Sequence, residues 1–306
     1  MDRQVIIGAL IKLASPGYTR FDGRLFTMFL DRFRGVGAPL GVFRSGGTTS
    51  FEPGRRCFDL VLMRRTYISP NTVRITLGGF ELLDFSYRGG DHRCSVFIPW
   101  PDEQARRWVV PAIADPWTGA AQYAFVAALS RPLRRRLTVR AFRPDLLEMD
   151  FDVVLHGDSP LSHWTREAAL GTSVRVIDEG RKYYVSRDIR WQLLVADEAG
   201  APAALAVAEA TPETVPTTVY IEGASFGGED AAIGPHVTVI RLPRLEGNAR
   251  AAQAVRAAVL DKATSMIPDK VGIAGERSFA KALCADLHAA GVPRKAIQAG
   301  TYWKAR

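Results

Sequence analysis

The sequence predicts two consecutive domains of different class: an antiparallel β-barrel, then an α/β domain with a parallel sheet. Two observations carry this. Between residues 58 and 186, short strand-like runs are separated by glycine and proline punctuation, the pattern of an antiparallel barrel. From Trp191 onward, apolar strands alternate with helix-period segments, which implies parallel strands with helices on both faces. A length of 306 residues suits two domains of ordinary size.

In the first part, residues 58–68, 72–77 and 93–98 read as strands, with a Ser69-Pro70-Asn71 turn and breaks at Gly78-Gly79 and Gly89-Gly90. Residues 137–142 and 148–156 alternate apolar and polar side chains as half-buried strands do, and 173–178 with 182–186 complete the barrel. The junction falls at 188–190, giving an extension over 1–56, a barrel domain over 57–188 and an α/β domain over 189–306. The second part reads as a strand over 191–196, a helix over 201–210 and strands over 217–221 and 237–242. A helix over 249–260, a strand over 270–274, a helix over 278–290 and a strand over 296–302 follow. Ligands of such sheets bind beyond the carboxyl ends of the strands. Asp197-Glu198 and Gly275-Glu276 lie at two such ends, and Gly275 permits close backbone approach. No G-x-G-x-x-G follows the first of these strands.

Residues 5–14 are too short an apolar run to span a bilayer. They follow Asp2 and lack a small-residue cleavage site, so no signal peptide is expected. Residues 20–33 mix basic and aromatic side chains, and 35–50 read as a glycine-rich linker, so the extension reads as an arm. Residues 101–130 exceed what a hairpin needs and read equally as a lid or a surface insertion; Pro111 and Pro116 exclude a continuous span there.

With 47% hydrophobic and 24% charged residues the chain is globular. Its three cysteines are far apart without C-x-x-C, and its five histidines show no paired ligand spacing. No disulfide framework, zinc ribbon or metal site is expected, and a reducing cytoplasm fits. A net charge of +8 favours an anionic small-molecule partner. Nucleic acid is not expected, because the basic residues are dispersed and not interleaved with aromatics. Gly223-Ala224-Ser225-Phe226-Gly227 fits G-x-S-x-G, but Gly234-Pro235 follows before any helix can form, so it reads as a turn and not a nucleophile elbow.

Two stretches point to phosphate chemistry. Arg134-Arg135-Arg136-Leu137-Thr138-Val139-Arg140 sets cations and a hydroxyl on a strand edge. Guanidinium forks take phosphate oxygens in pairs, although a solvated basic corner is an equal reading. In His156-Gly157-Asp158-Ser159-Pro160-Leu161-Ser162-His163-Trp164 a strand ends at His156 and a short helix begins at Ser162. A helix start suits a pyrophosphate.

In this order these stretches resemble the siderophore-interacting protein family, the FAD-dependent ferric-siderophore reductases of the ferredoxin-reductase superfamily. Residues 135–140 stand where that family has Arg-x-Tyr-Thr-x-Arg, and 156–164 stand where it has His-Gly and then Gly-Pro-Ala-Ser-x-Trp. Residues 193–203 are similar to its Gly-Asp-Glu-Thr-Ala-Leu-Pro-Ala segment, Ala274-Gly275-Glu276 to its Ala-Gly-Glu, and Gly300-Thr301-Tyr302-Trp303 to its Gly-Tyr-Trp. The order and spacing hold from about Cys57 to the end.

The resemblance implies FAD on the barrel, near Arg135, Arg136, Leu137, Thr138, Val139, Arg140, His156, Gly157, Pro160, Leu161, Ser162 and Trp164. Arg135 and Ser162 would meet its phosphates, and Thr138, the candidate catalytic residue, its reactive nitrogen. It implies NAD(P)H on the second domain near Asp197, Glu198, Gly275, Glu276 and Trp303, and an anionic ferric chelate as electron acceptor. Arg277, Lys281 and Lys304 are candidates for a 2′-phosphate.

Four departures stand out: Leu137 for the ring-stacking aromatic, Ser159 for a glycine, Ala199 for a threonine, and Thr301 inserted before Tyr302. A missing aromatic contact removes roughly 1 kcal/mol. The departures motivate a second reading, a non-redox member of the same scaffold that binds or cyclises a hydrophobic metabolite in a biosynthetic pathway.

Overall fold

The computed structural model describes residues 57–98, 133–155, 157–185, 188–223, 233–242 and 248–304, with backbone only for 248–253. The expectations for 1–56, for 101–130, for His156 and for Ser225 lie outside the described residues.

The first sheet holds β1 (Cys57–Ser69), β2 (Thr72–Gly78), β3 (His92–Ile98), β4 (Leu133–Thr138), β5 (Ala141–Arg143), β6 (Glu148–Val154) and β7 (Ser173–Arg181). All described pairings are antiparallel, in the order β4-β3-β7-β1-β2-β6-β5. Alternation sorts the side chains. On β6, Met149, Phe151 and Val153 face the core, while Glu148, Asp150 and Asp152 face Arg64, Arg74 and Arg143.

Two strand expectations are corrected. The run 137–142 is not one strand, and the barrel is not closed by a ladder between β4 and β5. At Val139 and Arg140 the chain changes partner: the Val139 N–H donates to the His92 carbonyl and the Arg140 N–H to that of Asp150, each at 2.8 Å. The chain thus leaves β3 and joins β6 within two residues. The run 182–186 is not a strand where it is described. Tyr183 turns away to join the core of the second half, where its hydroxyl donates to Gln192 Oε1 at 3.2 Å.

The second sheet is parallel, in the order β10-β9-β8-β11-β12, from β8 (Gln192–Ala196), β9 (Thr217–Glu222), β10 (Val237–Leu242), β11 (Lys270–Glu276) and β12 (Ile297–Trp303). Strand β8 is buried throughout because both its faces are covered. Leu194 and Ala196 pack under an alanine-rich helix that runs antiparallel to the strands, α2 (Ala201–Glu209). Leu193 and Val195 pack under α3 (Asn248–Ser265) and α4 (Arg277–Ala289). Among the described residues the remaining α-helix, α1 (Pro160–Glu167), lies against β4 and β6 of the first sheet.

The halves meet where the turn before β3 touches α2. A Cβ on Gly90 would lie 2.3 Å from the Ala206 carbonyl oxygen, so backbone meets backbone there. Beside this contact, Arg140 donates to both oxygens of Glu209 at 2.5 Å each. Glu209 is the last residue of α2, the unfavourable end of the helix dipole for a carboxylate. The Arg140 guanidinium offsets that placement.

Candidate functional site

Strand β4 has two faces. Leu133 and Leu137 border the core of the first half, and by alternation Arg135 lies on their side. Arg134 and Arg136 lie on the other face and converge on Glu179. Arg136 Nε is 2.6 Å and Arg134 Nη2 3.0 Å from its oxygens, and Arg134 Nε also donates to Ser95 at 2.9 Å. Burial opposes the Glu179 charge, but the Ser95 hydroxyl and the two guanidiniums hold its carboxyl below the usual range. Arg135 is half-buried, with Nη1 donating to the Arg134 carbonyl at 2.9 Å.

Ser159 caps α1. Its Oγ accepts the Ser162 N–H at 3.2 Å and donates to Ser162 Oγ at 2.9 Å. Proline at the first helical position needs no N–H. The helix therefore begins at Pro160, not Ser162, and the serine that replaces the family glycine does the capping. Gly157 has φ 47° with open space where a Cβ would stand.

Several of the residues expected at the cofactor have side chains engaged within the protein. Arg136 is on the opposite face from Arg135 and is paired with Glu179. Val139 and Trp164 are fully buried core residues. Arg140 is committed to Glu209. Ser162 is 1% exposed and its hydroxyl is engaged in the cap. Leu137 and Leu161 both pack at the rim of the core, where α1 lies against β4. Arg135 is on the face of Leu137, Gly157 and Pro160 lie at the start of α1, and Thr138 ends β4 next to Tyr302.

On the other side of Thr138 stands Tyr302. Their hydroxyls are 3.5 Å apart, and the Tyr302 hydroxyl donates to Asp91 Oδ1 at 3.2 Å. Asp91 also takes a fork from Arg93, at 2.8 and 3.0 Å, and the Arg93 guanidinium lies 5.4 Å from the centre of the Tyr302 ring. Burial, reinforced by the Asp91 charge, pushes the Tyr302 phenol up to about 12. Asp91, Arg93 and Tyr302 border a cleft of about 30 Å³ between the halves, together with Tyr183, Leu194 and Gly272. That is room for water but not for an aromatic ring.

The inserted Thr301 explains how Tyr302 reaches this place. Along β11, Gly275 pairs with Thr301 and Glu276 with Trp303, so Tyr302 is the extra residue of a β-bulge. Bulges re-aim side chains.

At the strand ends of the second half, the expected nicotinamide residues are mostly tied to the protein itself. Asp197 accepts from the Gly200 N–H at 2.9 Å, the Glu276 N–H at 2.7 Å and Trp303 Nε1 at 2.8 Å. A Cβ on Gly275 would lie 2.8 Å from Asp197 Oδ2, so this glycine makes room for a carboxylate. Glu276 caps α4, accepting the N–H of Ser278 at 2.5 Å and of Phe279 at 3.0 Å. Of the five residues expected here, Glu198 and Trp303 are partly exposed. Asp91, Arg93, Glu179 and Glu209 were not singled out as site residues.

Known proteins resemble this chain in sequence and in fold. Residues 61–183 match the family model described as a siderophore-interacting FAD-binding domain, and 189–306 match that of a siderophore-interacting protein. The chain belongs to the siderophore-interacting protein family. Ferric vibriobactin reductase ViuB of Vibrio cholerae is 27% identical over 168 residues, which cover 55% of this chain and 58% of that relative. The NADPH-dependent ferric-chelate reductase of Escherichia coli is 30% identical over 149 residues, 47% of this chain and 53% of the relative. The chain thus spans somewhat more than half the length of these relatives. Among solved structures, the siderophore-interacting protein SipS from Aeromonas hydrophila superposes with a TM-score of 0.60 at 24% identity, covering 82% of this chain and 93% of that one. A siderophore utilization protein from T. fusca gives 0.69 at 21% identity, covering 84% and 95%. At such identities they establish a shared fold. Among the described residues no helix is long and apolar enough to cross a membrane.

Proposed function

We propose that this chain is a flavin-dependent reductase that passes electrons from NAD(P)H through FAD to iron(III) held in an anionic siderophore. The observation that carries the reading is the packing of Leu137 and Leu161 against one rim of the core, where α1 lies against β4 and Arg135 is on the face of Leu137, within the stretch that matches the FAD-binding family. The names of the reductases from V. cholerae and E. coli support the substrate class and the donor.

The donor set fits a dinucleotide. Arg135 would supply a fork for a pyrophosphate, and the start of α1 its positive dipole end. Gly157 leaves open space at the approach to that turn. Leu137 offers an aliphatic surface where the family has an aromatic ring, so ring contact there is weaker by roughly 1 kcal/mol. Thr138 presents a hydroxyl to the ring edge and, through Tyr302, links that edge to the second half. A flavin held there would supply the chemistry of accepting an electron pair and releasing electrons singly, as reduction of iron(III) requires. The net charge of +8 attracts both dinucleotides and an acidic chelate. A reaction that draws on reduced nicotinamide would suit the cytoplasm.

The test is spectroscopic. The purified chain loaded with FAD should show flavin bands, lose them anaerobically with NADH or NADPH, and regain them when a ferric siderophore is added. A colourless preparation that takes up no FAD would remove the reading. Leu137 is the observation favouring the non-redox alternative, and flavin that binds but resists both nicotinamides would establish that one instead.

A further inference from the structure

The hydroxyl chain Thr138–Tyr302–Asp91 has a fixed direction. An ionised carboxylate can only accept hydrogen bonds. Asp91, gripped by Arg93, takes the single hydrogen of Tyr302. A phenol held near 12 keeps that hydrogen at any physiological pH. The Tyr302 oxygen then has only acceptor capacity to offer Thr138, so the Thr138 hydrogen points at Tyr302. Among the described residues Thr138 Oγ1 has no other hydrogen-bond partner. At 3.5 Å the contact is long for two hydroxyls, so it favours this direction of the threonine hydrogen weakly. What Thr138 presents on its remaining side is lone pairs.

The arrangement is built into the chain. Asp91 is 3% exposed and is held in a left-handed backbone conformation at φ 61°. Such a conformation is uncommon for a residue with a side chain and marks a position fixed by its surroundings. Tyr302 reaches Asp91 because the bulge at Thr301–Trp303 takes it out of the ladder.

We propose that Asp91 and Tyr302 are positioning residues that make Thr138 a hydrogen-bond acceptor toward the bound cofactor. Reduced flavin carries an N–H at its reactive edge, whereas oxidised flavin has a bare nitrogen that needs a donor. An acceptor-only threonine therefore favours the reduced form. This rests on the flavin reading above and adds a direction to it.

The experiment compares the full-length FAD-loaded wild type with Tyr302→Phe, Thr138→Val and the double variant. FAD affinity is read by flavin fluorescence, and midpoint potential by equilibrium titration against a reference dye. Phenylalanine preserves the ring over Arg93 and frees the threonine hydrogen. The expected result is FAD affinity within about twofold of wild type and a reduced-to-oxidised ratio about tenfold lower at fixed poise, the size of one hydrogen bond. That is about 30 mV for a two-electron couple. In the Thr138→Val background, removing the Tyr302 hydroxyl should produce no further shift. Bound flavin with an unchanged potential in Tyr302→Phe would overturn the proposal. So would an equal shift in the Thr138→Val background, since Tyr302 would then act without the threonine. Failure of the wild type to bind FAD would instead remove the flavin reading itself, a result the affinity measurement separates from the other two.

Discussion

The edge of β4 and the strand ends of the second sheet were both expected to hold a cofactor, and they use their polar groups in opposite ways. At the second sheet, Asp197 and Glu276 spend their oxygens on the protein's own N–H groups, joining β8, β11, β12 and α4 into one corner. At β4, Arg135 shares a face with Leu137 and donates to the Arg134 carbonyl, while Arg134 and Arg136 share the single carboxylate of Glu179 on the opposite face. The contrast teaches that a charged residue at a strand end is a ligand candidate only after its local obligations are counted. A buried carboxylate with three donors is a structural joint.

Substitutions that strain this contrast follow, from the largest expected effect downward. Asp197→Ala strands three donors in a buried corner and should lower stability by about 4 kcal/mol in urea titration. Undiminished stability with a selective loss of nicotinamide affinity would reverse the assignment. Glu209→Ala leaves Arg140, whose side chain is 8% exposed, without its bidentate partner. It should cost about 3 kcal/mol by the same measurement. Glu209→Gln, which keeps one acceptor, should recover part of that. Arg135→Ala should weaken FAD binding by about 2 kcal/mol, read by fluorescence titration. Arg136→Ala, on the far face and 56% exposed at its side chain, should change FAD binding by less than about 0.5 kcal/mol. Equal losses from the two would erase the distinction between the faces. Leu137→Tyr should tighten FAD by about 1 kcal/mol through ring contact.

Much of this was legible beforehand. The switch from period-two strands to strand–helix alternation at Trp191 appears in the structure as an antiparallel sheet followed by a parallel one. The order of the motifs led to the right family. What could not be read was which neighbour each residue would meet. Val139 and Arg140 continue a strand-like pattern, and only the positions of His92 and Asp150 reveal that the chain changes partner there. Trp164 fits a ligand motif, but its depth depends on how α1 lies against β4 and β6. Ser159 departs from the family glycine, yet its hydroxyl does the work of a cap. Thr301 was visible as an insertion, but its effect depends on pairing with β11, which converts one added residue into a redirected tyrosine.

The contact at Gly90 has a consequence for how this protein tolerates change. Main chain rests on main chain where the two sheets' domains touch, with no cushion of side chains to absorb a misfit. One added methyl group at that point would meet the Ala206 carbonyl oxygen, so the turn or α2, which carries Glu209, would have to shift. The seam therefore works as a spacer of fixed thickness, and drift in sequence is easiest in the outward-facing parts of both halves, well away from it.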